Sequence, residues 1–336
     1  MIIILQQGLP AAQKANVLEQ VNNIGYKVNE VETQAGDYLV AIGKKEFDIR
    51  TIGQLPGVAD IFMVTDEYQL ISRKWRVEPT RIDLGDGVVV GEGQFSIMAG
   101  PCSIESEQQI EQVVEHLKAN NVKIMRGGVF KPRSSPYAFR GMGLDGLKMF
   151  HRICSENGIK IITEVMQVSQ IEEMIDYVDV FQVGARNSQN FNLLDALGAS
   201  QKPVLLKRGI SGTIEELLQA AEYIFSNGNE NIMLCERGIR SYEKAYRNVL
   251  DLNAVPVLKE KTHLPVIVDP SHGIGIRDYV EPMSLAAVMA GADGVIYEAH
   301  PRPEEAYSDG QQTVNFHASE RLISRMRQAY ALRESF

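Results

Sequence analysis

From Phe95 onward, short apolar runs return at regular intervals with longer amphipathic stretches between them, at 96–99, 123–126, 159–164, 178–183, 204–207, 232–235, 266–269 and 294–298. Short buried strands alternating with helices specify βαβ units and a parallel sheet, and eight such units in about 240 residues match the length of a (β/α)8 barrel. A doubly wound open sheet is the competing arrangement. The ends of the runs separate the two, because nearly every run is followed by a residue able to bind an anion or do chemistry: Cys102, Arg126, Glu164, Arg186, Lys207, Arg237, His272 and Glu298. In a closed parallel barrel these ends converge on one mouth, whereas an open sheet spreads them along an edge. Any one of them alone reads as a surface salt-bridge partner; eight at equivalent positions read as a site.

The first 65 residues follow a different pattern, apolar at 1–7, helix-periodic at 11–24, strand-like at 26–32 and 38–43, helical at 49–55 and strand-like at 59–64. That βαββαβ order suits a ferredoxin-like α+β domain with both helices on one face of an antiparallel sheet. Residues 66–92 read as a linker and a Gly-rich hairpin, and 93–336 as the barrel. The balance of 34 basic against 43 acidic residues argues against nucleic acid as a partner. No apolar run reaches membrane-spanning length, and Met1–Leu5 is too short for a signal peptide. Cys102, Cys154 and Cys235 are too few and scattered for a disulfide framework, so a cytoplasmic enzyme with reduced thiols is expected.

The stretch from Arg126 to Tyr137 holds Arg126, Lys131 and Arg133 between Gly127, Gly128, Pro132 and Pro136, a loop suited to phosphate or carboxylate. With Arg186, Lys207 and Arg237 it makes a cationic set that repels itself unless anionic ligands compensate, and its mixture of arginine forks and lysine point charges suits small phosphorylated acids. A Schiff-base role for Lys131 or Lys207 stays open. A second set, Cys102, His272, Glu298 and Asp309, stands beside Gly- or Pro-marked turns and combines thiolate, imidazole and carboxylates. Those donors fit a divalent metal, with Mn, Fe, Co or Zn favoured over Mg. Cys102 is expected to be an exposed, oxidisable thiolate when metal-free; a buried filler cysteine is the alternative.

At Gly100-Pro-Cys-Ser-Ile-Glu105, Arg126-Gly-Gly, Lys131-Pro-Arg-Ser-Ser-Pro136, Gly184-Ala-Arg186, Lys207-Arg-Gly, Glu236-Arg-Gly, Asp269-Pro-Ser-His272 and Ser308-Asp-Gly310, the chain resembles the 3-deoxy-D-arabino-heptulosonate 7-phosphate (DAHP) synthases, type I beta, nearly end to end. The resemblance implies a metal-dependent condensation of phosphoenolpyruvate with erythrose 4-phosphate, opening the shikimate pathway. It implies that Arg126, Lys131, Arg186, Lys207 and Arg237, with backbone from Gly184 and Ala185, hold phosphoenolpyruvate. Pro132, Arg133 and Ser134 would anchor erythrose 4-phosphate, Glu164 would face the reacting carbon, and Cys102, His272, Glu298 and Asp309 would ligate the metal. The ferredoxin-like domain would bind tyrosine or phenylalanine as a feedback effector in a homo-oligomer, expected to be a tetramer, with residues 66–80 as hinge. Two alternatives are a sister condensation with arabinose 5-phosphate, disfavoured by Lys131-Pro-Arg133, and a non-catalytic amino-acid sensor.

Overall fold

The computed structural model describes residues 1–91, 93–131, 137 and 139–336. The chain opens with β1 (Ile2–Leu5), α1 (Ala11–Ile24), β2 (Lys27–Glu32), β3 (Asp37–Ile42), α2 (Arg50–Gly53) and β4 (Val58–Phe62). The sheet order is β2-β3-β1-β4, antiparallel where β1 meets β3 and β4, which is the ferredoxin-like arrangement. Alternation along the strands sorts the side chains. Met1, Ile3, Leu5, Leu39 and Ala41 pack with Val17 and Val21 of α1 and Ile52 of α2, while Ile2, Tyr38 and Val40 join the main core of the barrel. Helix α1 ends where Gly25 takes a left-handed φ of 97°, its N–H closing on Asn22 and Val21 carbonyls.

The segment that follows is fastened rather than loose. The Glu222 carboxylate accepts three consecutive backbone N–H groups, from Gln69 at 2.9 Å, Leu70 at 2.8 Å and Ile71 at 3.1 Å. Trp75 donates Nε1–H to the Leu70 carbonyl at 2.9 Å and meets Tyr38 and His263 edge-on at 5.4 and 5.8 Å. At the tip of the β2–β3 hairpin, Thr33 bonds Glu230 and Gln34 bonds the Gln201 carbonyl at 3.1 Å. Gln201 and Glu230 lie just before two barrel strands, so the small sheet rests toward the N-terminal end of the barrel, opposite the mouth.

Next comes a hairpin, β5 (Arg81–Asp83) with β6 (Val89–Gly91), and then β7 (Ser96–Gly100), β8 (Ile124–Arg126), β9 (Lys160–Val165), β10 (Val180–Val183), β11 (Val204–Lys207), β12 (Ile232–Glu236), β13 (Val266–Val268) and β14 (Gly294–Glu298). These last eight close into one barrel, with β14 pairing parallel to β7. Every strand sends an apolar side chain inward, namely Met98, Ile124, Ile162, Val180, Leu205, Met233, Ile267 and Ile296, and from the hairpin Ile82, Leu84, Val88 and Val90 complete that inner cluster. Successive side chains alternate faces, so the residue two places further along points inward one layer higher. On seven strands that step lands on Gly100, Arg126, Glu164, Gln182, Lys207, Asp269 and Glu298, and Arg237 follows Cys235 in the same register. The polar layer of the mouth is thus a continuation of the apolar layer beneath it. No helix among the described residues is long and apolar enough to cross a membrane.

Candidate active site

A cavity of about 310 Å³ opens at the C-terminal ends of the strands, lined by Lys131, Glu164, Gly184, Ala185, Arg186, Lys207, Arg237, His272 and Asp309 together with Gln182, Ile210, Arg240, Arg247 and Asn248. The cations in it are not equivalent. Lys207, 3% exposed, is paired with Asp269 Oδ2 at 2.5 Å, and Arg126 donates to Glu298 Oε1 at 3.1 Å and to the Pro101 carbonyl at 2.8 Å. Among the described residues, Arg186 makes no ion pair or side-chain hydrogen bond, and Arg237 donates only to its neighbour's carbonyl, Gly238 O, at 3.1 Å. Arg237 is 5% exposed. Burial holds its pKa below the usual arginine value, with the nearby Arg247 adding repulsion against the pull of Asp269. A buried guanidinium without a carboxylate partner is costly on its own and is stabilised by an anion in the cavity.

Beside this pocket, Cys102 Sγ, a Glu298 oxygen and an Asp309 oxygen lie within 4.8 Å of one another. Cys102 donates to Asp309 Oδ2 at 3.2 Å, and Lys131 Nζ, 3.1 Å from the same sulfur and 2.9 Å from the Cys102 carbonyl, joins this cluster to the anion pocket. His272 stands next to the trio, its Nε2 3.5 Å from Glu298 Oε1. Its Nδ1 is 2.7 Å from Asp269 Oδ2, which makes Nδ1 the protonated nitrogen and leaves Nε2 turned toward Glu298. Burial lowers the His272 pKa, while His272 and Lys207 hold Asp269 well below the carboxylate range despite its burial. Asp309 sits in left-handed backbone, φ 53°, a conformation that Asp adopts more readily than most residues. A thiol and two carboxylates around one point, with an imidazole at their edge, are a donor set that fits a divalent transition metal.

Cys102 corrects the expectation of an exposed thiolate. It is 3% exposed, and burial, reinforced by the Glu298 charge, pushes its pKa up to about 11. Two glycines are fixed by the site itself. A Cβ at Gly184 would fall 2.0 Å from Glu164 Oε1, and one at Gly128 would come within 2.8 Å of the Lys131 side chain. Pro132, Arg133 and Ser134 lie outside the described residues. His300 is buried and does not line the cavity.

Sequence reasoning missed Gln182, Arg240, Arg247, Asn248, Asp269 and Gln312. Gln182 and Asp269 were open to discovery, since both sit two places beyond an inward apolar residue. Arg240, Arg247, Asn248 and Gln312 come from loops after β12 and β14, where no strand register predicts direction.

The closed barrel and its cation-rich mouth define a (β/α)8-barrel enzyme. Within that class the chain belongs to the DAHP synthetase I family, whose model matches residues 74–334. It is 42% identical over 328 residues, 97% of each chain, to phospho-2-dehydro-3-deoxyheptonate aldolase of Thermotoga maritima. The crystal structure of a Thermotoga maritima protein of that name, also called DAHP synthase, matches 99% of this chain and 98% of its own with a TM-score of 0.79 and 41% identity. Against 2-dehydro-3-deoxyphosphooctonate aldolase of Geobacter sp. (strain M21) the identity is 32% over 268 residues, 73% of this chain and 96% of that one.

Proposed function

We propose that the protein condenses phosphoenolpyruvate with D-erythrose 4-phosphate to give DAHP and inorganic phosphate, the first step of the shikimate pathway. The observation that carries this reading is the adjacency, through Lys131, of a pocket with uncommitted Arg186 and Arg237 to the Cys102, Glu298 and Asp309 cluster. One half suits a small phosphorylated carboxylate, and the other suits a divalent cation that, when bound, polarises the oxygen of an aldehyde. Cys102, His272, Glu298 and Asp309 are the residues that would hold it.

In this reading Arg186, Lys207 and Arg237 bind the phosphate and carboxylate of phosphoenolpyruvate and orient its C3 toward the aldehyde carbon. The new bond joins C3 to that carbon and leaves positive charge on C2. Glu164, over Gly184, stabilises that charge and orients the water that adds to C2; the C2–O–phosphate linkage then breaks and phosphate leaves with the bonding electrons. Lys131, within reach of the thiol, holds a proton close to where the aldehyde oxygen becomes an alkoxide. Arg133, with Pro132 and Ser134, takes the phosphate of erythrose 4-phosphate. Fixing two anionic substrates in register is worth up to ~7–11 kcal/mol of the barrel's catalytic advantage, which gives a reason for so many binding groups.

The same reading divides the chain into a regulatory domain at 1–65, a linker and hairpin at 66–92 and a catalytic barrel at 93–336, within the type I beta group. Tyrosine or phenylalanine is the proposed effector of the first part, and a homotetramer the proposed assembly. The higher identity and near-complete coverage of the heptonate aldolase relative, against partial coverage by the octonate enzyme, support erythrose 4-phosphate over arabinose 5-phosphate. The test is phosphate release by EDTA-treated protein with Mn²⁺ added back, using phosphoenolpyruvate with each sugar in turn. Turnover with erythrose 4-phosphate that needs Mn²⁺ is expected; preference for arabinose 5-phosphate would overturn the substrate assignment.

A further inference from the structure

Gln312 is fully buried and bridges two parts of the mouth. Its carbonyl oxygen accepts from Arg247 Nη1 at 2.6 Å, and its amide nitrogen donates to Glu298 Oε2 at 2.6 Å. A guanidinium only donates and an ionised carboxylate only accepts, so the amide fits between them one way round. Glu298 is gripped at both oxygens as a result, Oε1 by Arg126 and Oε2 by Gln312. Arg247 faces both halves of the mouth. Its Nη1 lies 3.6 Å from Asp309 Oδ1, it lines the anion cavity, and its remaining guanidinium N–H groups have no partner among the described residues.

We propose that Gln312 is a positioning residue for Glu298, and that Arg247 ties the Gln312–Glu298 pair to the anion pocket so that an anion and a divalent cation bind the mouth with positive coupling. This rests on the reading of Cys102, His272, Glu298 and Asp309 as a cation site. Arg247 carries a positive charge next to Asp309, so it opposes an arriving cation; an anion between Arg237 and Arg247 offsets that charge, and the cation favours the anion by the same factor. The two members therefore act with opposite sign on cation binding in the absence of an anion. Loss of Gln312 releases Glu298 Oε2 and weakens the site, whereas loss of Arg247 removes a repelling charge.

The experiment is calorimetric titration of EDTA-stripped, full-length protein with Mn²⁺, with and without saturating phosphoenolpyruvate. Wild type should bind Mn²⁺ at least ~5-fold more tightly with the anion present, the lower end of ordinary coupling between sites. Gln312→Met should weaken Mn²⁺ binding ~10- to 100-fold, the usual effect of removing an outer partner of a metal ligand. Arg247→Met should bind Mn²⁺ alone at least as tightly as wild type while its coupling factor falls toward one. Arg247 is one-third exposed, so this variant leaves the core intact and decides the matter even if Gln312→Met fails to fold. Unchanged Mn²⁺ affinity in Gln312→Met, or full coupling in Arg247→Met, would overturn the relay. A wild-type protein that binds no Mn²⁺ would overturn the cation-site reading itself, and the relay with it.

Discussion

Gly184→Ala separates catalysis from stability more cleanly than any substitution of a charged residue. Gly184 has φ −69° and ψ 157°, an extended backbone that alanine adopts without strain. Removing the glycine's unfolded-state freedom should stabilise the protein by about 0.4–1 kcal/mol. The new Cβ, however, would lie 2.0 Å from Glu164 Oε1. Ordinary contact begins near 3.4 Å, so the carboxylate must retreat by roughly 1.4 Å. It can do so at little cost to the fold, because Glu164 forms no hydrogen bond or ion pair among the described residues. A displacement of that order at a reacting centre costs ~10²-fold in rate, about 2.7 kcal/mol of barrier. The expected result is a melting temperature equal to or above wild type, phosphoenolpyruvate binding within a factor of two, and kcat lowered ~10²-fold. Since the loss acts through Glu164, adding Gly184→Ala to a Glu164→Ala protein should lower kcat little further. Wild-type kcat in the single variant, or an undiminished second loss in the double one, would show that Glu164 does not work where this reasoning puts it.

Cys102→Ser should abolish tight divalent binding, measured as metal content after dialysis, with far-UV circular dichroism unchanged; and because the thiol is buried, metal-free protein should react with peroxide far more slowly than free cysteine. His263 predicts an acid-sensitive seam under the linker. It is neutral, accepting from Thr80 at Nδ1 (2.6 Å) and donating from Nε2 to the Leu70 carbonyl (3.0 Å), and burial, with Arg76 adding repulsion, lowers its pKa to about 3. The unfolded chain, with an ordinary histidine pKa near ~6.5, takes up the proton first, so this group's contribution is complete above that value and is lost as pH falls from ~6.5 toward 3. The unfolding free energy from urea titrations should drop across that window with a slope of up to ~1.4 kcal/mol per pH unit, and His263→Gln should flatten it. A truncation starting at Asp66 should retain condensation and lose any inhibition by tyrosine or phenylalanine, whereas a start at Val77 should aggregate, because it strips Leu70 and Trp75 from the barrel and leaves Glu222 without its three amides.

The strands were legible because two signals coincide on them: a run of apolar residues short enough to be a buried strand, and a polar residue where the run stops. β11 and β14 fall on the expected residues, and the other barrel strands shift by one or two at one or both ends. Direction within the mouth was legible wherever strand register carries it, as for Lys207 and Glu298. Register gives the direction of Arg126 as well, but not its pairing with Glu298, and it gives nothing for Gln312 and Arg247, whose partners are reached across loops. In the linker the sequence shows only its charges; what secures it is Glu222 on a distant helix accepting the backbone N–H groups of Gln69, Leu70 and Ile71, and backbone donors leave no trace in side-chain composition.

Among the described residues, the β5–β6 hairpin closes the base of the barrel and leaves the mouth as its opening. Ile82, Leu84, Val88 and Val90 stop its base with hydrocarbon, and Lys160 bonded to Asp86 at 2.8 Å pins the stopper's turn to a barrel strand. Whatever binds must come and go at one end, so the occupants form a queue. Lys207 and Arg237 lie nearly sealed at the bottom of the polar layer, and Arg240 and Arg247 stand at its open edge. Under the proposed two-substrate reading, the ligand that needs the inner cations is seated before the second and departs after it, so order becomes a property of the stopper as much as of the groups that do the chemistry.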